Sequence, residues 1–244
     1  GGRWGTCRSS SHGFLMHFHR ICALRTRGNS GRGDGPVGLD VHRAAIKTAE
    51  ESAVDRTSGR RRDHVVAGLW GFAEATGFFV VPDVWLSALA VRSLRRGLTS
   101  AVSATAGAVV GGALMHRWGE RVPAGRSAWL LTRLPAVSPA MLERVEREMA
   151  SHGFAAVLLG PLRGTPYKLY ARTAGLRGDP LPAFLAWSVP ARAPRFVVVT
   201  TAVGALSALL RSLRPHAPGG VRWAIFTAGW TAFYAWYFRT VGRD

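Results

Sequence analysis

The sequence predicts an all-α integral membrane protein of two inverted repeats. Each repeat is a re-entrant broken helix followed by a transmembrane helix, and a C-terminal transmembrane helix completes the set. Three observations predict it. Residues 64–244 carry apolar runs at 98–115, 196–210 and 223–238, each near the lower limit of the roughly 17–25 residues that cross a bilayer. Two further apolar stretches, 71–92 and 152–176, are interrupted by proline and glycine. Each interrupted stretch precedes an intact run, so the order of broken segment then whole helix occurs twice.

Composition divides the chain before any motif is read. Residues 1–63 are polar and rich in Gly, Ser and Arg, while 64–244 hold the long apolar runs and few acids. The net charge of +18 splits as +6 and +12 between them. The first part is expected to be a basic, disordered tail, because it offers too little apolar surface to offset the entropy of ordering. Within it, "LDVHRAAIKTAEESAV" (39–54) suits a short helix. "FLMHF" (14–18) is too short for a signal-peptide core, and an Arg-rich, acid-free stretch to residue 33 is compatible with a transit segment.

So basic a chain invites nucleic acid as a partner. The arginines of 64–244 argue otherwise, because they gather at the edges of apolar runs: Arg92, Arg95 and Arg96; Arg117 and Arg121; Arg211 and Arg214; Arg239. Flanking of this kind anchors spans to anionic headgroups. Membrane lipids are therefore the expected partner and nucleic acid is not; a homo-oligomer is left open. Both cysteines, Cys7 and Cys22, lie in the tail, which excludes a disulfide or a Cys-based metal site from 64–244. No metal or cofactor is expected.

Repeat one covers 65–115. Its broken segment, "GFAEATGFFVVPDVWLSALAVR" (71–92), carries Glu74 near one end and Pro82–Asp83 in the middle. A carboxylate deep in lipid is costly, and proline removes a helix hydrogen bond. Irregular backbone is tolerated at membrane depth where protein covers it or water fills a cavity. A re-entrant loop turning at Pro82 satisfies both demands. The span that follows is built from Ala, Gly, Ser and Thr, with Gly107 and Gly111 forming a GxxxG that permits close helix approach.

An amphipathic linker helix is expected over 138–152, at the membrane surface. Ser138 is a suitable N-cap, Pro139 a natural first-turn residue, and Gly153 a terminator. Leu142, Val145 and Met149 share one face, while Glu143, Arg144, Glu146, Arg147 and Glu148 cover the rest.

Repeat two covers 152–213. Its broken segment is interrupted by Gly160–Pro161, Gly164, Pro166 and Gly175, and a Pro-rich bridge leads to the 196–210 span. Here the charge is reversed: Arg163, Lys168 and Arg172, then Arg192 and Arg195. Lys168 is the sole lysine of 64–244. Arg172 and Arg177 suit the headgroup region, where long cations snorkel. Arg163, between glycines and a proline, suits a site. Broken segments at matching places in two halves mark a transporter's binding site. Glu74 and Asp83 are thus expected to meet Arg163, and with it Arg192, around one polar cavity. The last span, 221–238, is rich in Trp and Tyr, which favour the membrane interface.

These motifs carry a family resemblance. "FAEATGFFVVPDVWLSALAV" resembles the first signature of the DedA family, also called VTT or SNARE-associated Golgi proteins. It runs from aromatic-x-Glu to a proline followed by an acid and then a small-residue helix. "HGFAAVLLGPLRGTPYKLYARTAGL" followed by "PLPAFLAWSVPARAPRF" resembles the second half, and its Pro-x-Lys and Arg-x-x-Arg-Phe are similar to the YqaA-like branch. The likeness spans roughly residues 65–215. It carries Glu74 and Asp83 over as the membrane acids, and Arg163 and Arg192 as the arginines. Two departures stand out: the acid after the proline is Asp rather than Glu, and Pro190–Ala191 precede Arg192 where glycine is usual.

The resemblance implies transport of an anionic phospholipid or polyprenyl phosphate across the bilayer, by a flippase or scramblase. The bacterial inner membrane is the expected location, with an organellar membrane as the alternative. The residues agree, since a phosphate needs guanidinium or ammonium groups and freed N–H groups, with carboxylates nearby to couple a proton. A non-transporting scaffold is the competing class. Enzymes fit less well: His116, His152 and His216 stand apart, and Asp83, Asp179 and Asp244 form no cluster.

Overall fold

The computed structural model describes residues 37–160, 163–216 and 218–240. The motifs expected in residues 1–36, and Pro161 of the second break, lie outside the described residues. The chain divides into two compact units, Gly1–Ala53 and Val54–Asp244. All regular structure among the described residues is helical, without a strand.

Helix α1 (Val37–Thr76) runs through the boundary expected at residue 63. Asp63, assigned by sequence to the disordered tail, is buried and ion-paired with Arg96. The reason is local. The helical pattern does not stop at the arginine run Arg60–Arg62, whose side chains are exposed while Asp63 turns inward.

The first break follows, over 77–82. Thr76 donates from its hydroxyl to the carbonyls of Phe72 and Ala73, and Gly77 leaves the helix. Trp70 Nε1 donates to the Val80 carbonyl at 2.9 Å, holding the loop against α1. Pro82 then opens α2 (Asp83–Arg92), a ten-residue helix. A single extended residue, Ser93, separates it from α3 (Leu94–Arg121), 28 residues long.

Helix α3 is the hub, because its glycines admit neighbours on several faces. A Cβ on Gly107 would overlap the Gly68 carbonyl of α1, and one on Gly71 would overlap the Ala104 carbonyl. Backbone-to-backbone approach of this kind is how small residues join helices without an aqueous driving force. Gly119 meets Arg172, and His116 meets Gly175, in the same manner.

Helix α4 (Ala124–Leu131) leads to α5 (Pro139–His152). Ser138 caps α5, accepting from the Met141 N–H, and Gly153 ends it at a φ of +55°, which favours glycine. Leu142, Val145 and Met149 are buried as the periodicity requires, but against protein. Each contributes roughly 1.5–3 kcal/mol of transfer from water. Glu148 is the exception to the expected polar face, for it is buried. It stands three residues after Val145 and seven after Met141, so helical spacing puts it inside the apolar stripe.

After a short 3-10 turn (Gly153–Ala155) and α6 (Ala156–Leu159), the second break reaches Pro166. Gly164 adopts a φ of +69° in it. Helix α7 (Tyr167–Leu176) is again ten residues long and again opened by a proline. Gly175, expected as a further break, lies inside α7. Its lack of a side chain serves the α3 contact rather than a turn.

Helix α8 (Leu181–Leu213) replaces the expected Pro-rich bridge and the separate span after it. Pro190 and Pro194 sit inside this single helix. Each costs one N–H donor, so the carbonyls of Ala186 and Pro190 lose their usual partners. Helix α9 (Gly219–Thr240) follows, without a buried residue. α3 and α8 are the two described helices long and apolar enough to cross a membrane. α9, expected as the last span, is not among them.

Candidate functional site

The two breaks, α8 and α9 line one half-open cavity of about 700 Å³, to which α9 adds the cation Arg222. Its lining includes Glu74, Asp83, Arg163, Lys168, Arg192 and Arg195, with Gly164 and Pro166 of the second break. Pro82 lies at the junction of the first break with α2, where it turns the chain so that Asp83 points inward. Glu74 is two residues from the end of α1, Lys168 is second in α7, and Arg192 and Arg195 are three apart on α8. Each charged group thus stands at a helix end or beside an interior proline, where backbone regularity has already been given up.

Two buried acids meet two arginines. Arg192 Nη2 donates to Glu74 Oε2, with both side chains almost wholly inaccessible. Arg195 Nη2 lies 3.0 Å from Asp83 Oδ2, with Asp83 fully buried and Arg195 partly open. Neither Asp83 oxygen has a partner of good hydrogen-bond geometry, so that contact is chiefly charge on charge. Its position at the start of α2 adds the helix dipole, whose positive end favours a carboxylate. Removing two ions from water costs several kcal/mol each, which only close pairing offsets.

Arg192 is further confined between two rings. Its guanidinium carbon lies 5.1 Å from the Tyr167 centroid and 5.0 Å from that of Phe196. Tyr167 is fixed in turn by donating to Ser188 Oγ at 2.6 Å. The guanidinium is therefore held by cation–π contact as well as by charge.

The remaining cations stand apart from these pairs. Arg163, expected opposite Glu74 and Asp83, instead pairs with Glu148, its own side chain half-exposed. Glu148 also accepts from Tyr170 Oη at 2.6 Å. Lys168 Nζ donates to the Phe78 carbonyl at 3.0 Å, joining α7 to the first break. Arg172, expected among headgroups, is buried. Its Nε donates to Ser127 Oγ and its Nη2 to the Ala124 carbonyl, tying α7 to α4. Only Arg177 of that pair is exposed, paired with the partly buried Asp179.

Sequence reasoning missed Glu148, whose spacing was the available signal, and three aromatic residues of α9. Trp230 Nε1 donates to Ser87 Oγ at 3.1 Å. The Val81 N–H donates to Tyr234 Oη at 3.0 Å, and Tyr237 Oη donates to the Gly164 carbonyl at 3.3 Å. One helix therefore satisfies backbone groups freed by both breaks. Aromatic residues at a span invite an interface reading, and no local pattern distinguishes the inward ones.

The site's donors are cations and its charged acceptors two carboxylates, which suits an anion and a transferable proton. Among the described residues no three His, Cys, Asp or Glu side chains converge as metal ligands. Compared with protein-family models, curated proteins and solved structures, the chain matches none.

Proposed function

We propose that this chain is an integral membrane lipid translocator of the DedA type, moving an anionic phospholipid or polyprenyl phosphate between leaflets. The observation that carries this reading is the single cavity that gathers acids of the first break with cations of the second half. Supporting it, α3 and α8 have the length and apolarity of membrane spans. The halves also correspond: in each, a break and a proline open a ten-residue helix, α2 or α7. α2 packs against α8 and α7 against α3, so each short helix leans on the long helix of the other half. Crossed packing of this kind suits two inverted repeats around a shared site.

In the proposed cycle the carboxylates neutralise Arg192 and Arg195 while the cavity is empty of lipid. A phosphate drawing on the same guanidinium groups weakens the pairing and favours proton uptake by Glu74 or Asp83. Release reverses the exchange. Purified protein in liposomes should move a fluorescent anionic lipid, and the Glu74→Gln/Asp83→Asn double variant should lose that movement or its pH dependence. A double variant with full, pH-dependent activity would sink the mechanism. An inactive wild-type protein that still inserts in the bilayer would favour a scaffold.

A further inference from the structure

The cavity has a charged floor and an apolar rim. Six of its lining side chains are large, apolar and exposed: Phe78 and Phe79 of the first break, Leu206 of α8, and Ile225, Phe233 and Trp236 of α9. Glu74, Asp83, Lys168 and Arg192, by contrast, are almost wholly buried. An opening onto water presents polar groups and withdraws apolar ones. This one does the reverse. Its two long walls also stand apart, because α9 packs against α2 and hardly against α8.

Two further lining cations mark the ends of the rim. Arg222 is partly exposed in the first turn of α9. Beside it, the Trp223 ring lies 5.2 Å from the Arg92 guanidinium carbon at the end of α2. Arg163 is half-exposed in the second break, next to Gly164, whose carbonyl accepts from Tyr237. Between Arg222 and Tyr237, α9 rises about 22 Å, most of a hydrocarbon core of about 30 Å.

Building on the translocation reading, we infer that the cavity is a lateral slot open to the bilayer between α8 and α9, with Arg222 and Arg163 as headgroup stations at its two membrane faces. The head passes from one station to the other over the buried floor, and the acyl chains stay in the surrounding lipid. A guanidinium at each end meets a phosphate at the depth where headgroups already lie. A chain that slides along an apolar rim exchanges one apolar neighbour for another, whereas a chain drawn across the floor would desolvate its charges.

The test is fluorescence quenching in liposomes of phosphatidylcholine containing phosphatidylglycerol. The full chain, with Cys7→Ser and Cys22→Ser, carries one bimane-labelled cysteine: Val203→Cys on the α8 wall, Ile225→Cys one turn from Arg222, or Trp236→Cys next to Tyr237. At Val203, lipid with a nitroxide on its acyl chain should quench more strongly than aqueous iodide. At Ile225 and Trp236, nitroxide phosphatidylglycerol should quench at least about threefold more than nitroxide phosphatidylcholine, the preference expected of one arginine near a headgroup. Arg222→Gln should abolish that preference at Ile225 and keep it at Trp236, and Arg163→Gln should do the reverse. Arg222→Lys, which keeps the charge, should retain it at both. Each substitution thus carries its own control for folding at the opposite end.

At Val203, iodide quenching as strong as that by nitroxide lipid, or quenching by neither, overturns the slot. A preference that survives Arg222→Gln or Arg163→Gln at its own end overturns the stations, as does loss at both ends from either substitution. Movement of fluorescent lipid separates this inference from the reading beneath it. The expected quenching without movement of any lipid overturns transport alone, and movement without that quenching overturns the slot alone.

Discussion

The first and second breaks face the same cavity but handle charge in opposite ways. At the first, Glu74 and Asp83 are buried and each depends on one arginine of α8. At the second, the buried member is Glu148 and the arginine is half-exposed, with Tyr170 as an additional donor to the acid. Desolvation is thus shared by both partners in the Glu74–Arg192 pair, and borne mainly by the acid at Asp83–Arg195 and at Glu148–Arg163. A mutually buried pair cannot lose one member cheaply, whereas a half-exposed one can rely on water and a second donor.

That difference is open to a direct test. The largest effect should come from Arg192→Gln, which leaves the Glu74 carboxylate buried without its donor. A loss of about 3–5 kcal/mol is expected, read from unfolding of the purified protein in detergent. Adding Glu74→Gln to it should restore more than half of the loss. If the double variant is as unstable as the single, the pair is not what stabilises the first break.

Glu148→Gln should cost less, about 1–3 kcal/mol, because one buried hydrogen-bonding network is weakened rather than orphaned. Arg163→Gln should cost less again, since Glu148 keeps the Tyr170 hydroxyl. Equal losses at these two positions would mean that the exposure of Arg163 does not matter, and the contrast between the breaks would fall.

Tyr234→Phe and Tyr237→Phe sharpen the comparison further. Each removes one hydrogen bond worth about 0.5–1.5 kcal/mol. Tyr234→Phe should speed amide hydrogen exchange at Val81 and leave the second break unchanged. Tyr237→Phe should leave Val81 unchanged. Acceleration of Val81 exchange by both would show that α9 moves as one body and not through separate contacts. Smallest of all, Arg177→Gln should leave the unfolding temperature within error, since the Arg177 side chain is itself exposed.

How much of this was legible beforehand depends on the range of the interaction. Ser138, Pro139 and Gly153 delimit α5 in the sequence and in the structure, because capping groups act within one turn. Pro82, Gly164 and Pro166 likewise mark the breaks where they occur. The rule that proline breaks a helix fails at Pro190 and Pro194, where a long apolar helix tolerates the lost donors. The glycines of α3 announce close packing without naming the partner, and Gly175 is read as a turn only because its neighbour across the interface is unseen.

By itself, then, the sequence determined the helical class, the two interruptions, the cap-to-cap extent of α5 and six of the seven charged residues that line the cavity, Arg222 being the one it missed. Backbone dihedrals, missing N–H groups and hydrophobic spacing are properties of neighbouring residues. Only the tertiary structure decided that Arg192 takes Glu74, that Arg195 takes Asp83, that Arg163 turns to Glu148 and that Lys168 donates to the Phe78 carbonyl. Those choices join residues far apart in the chain, and they rest on desolvation, which no residue carries until its neighbours have excluded the water around it.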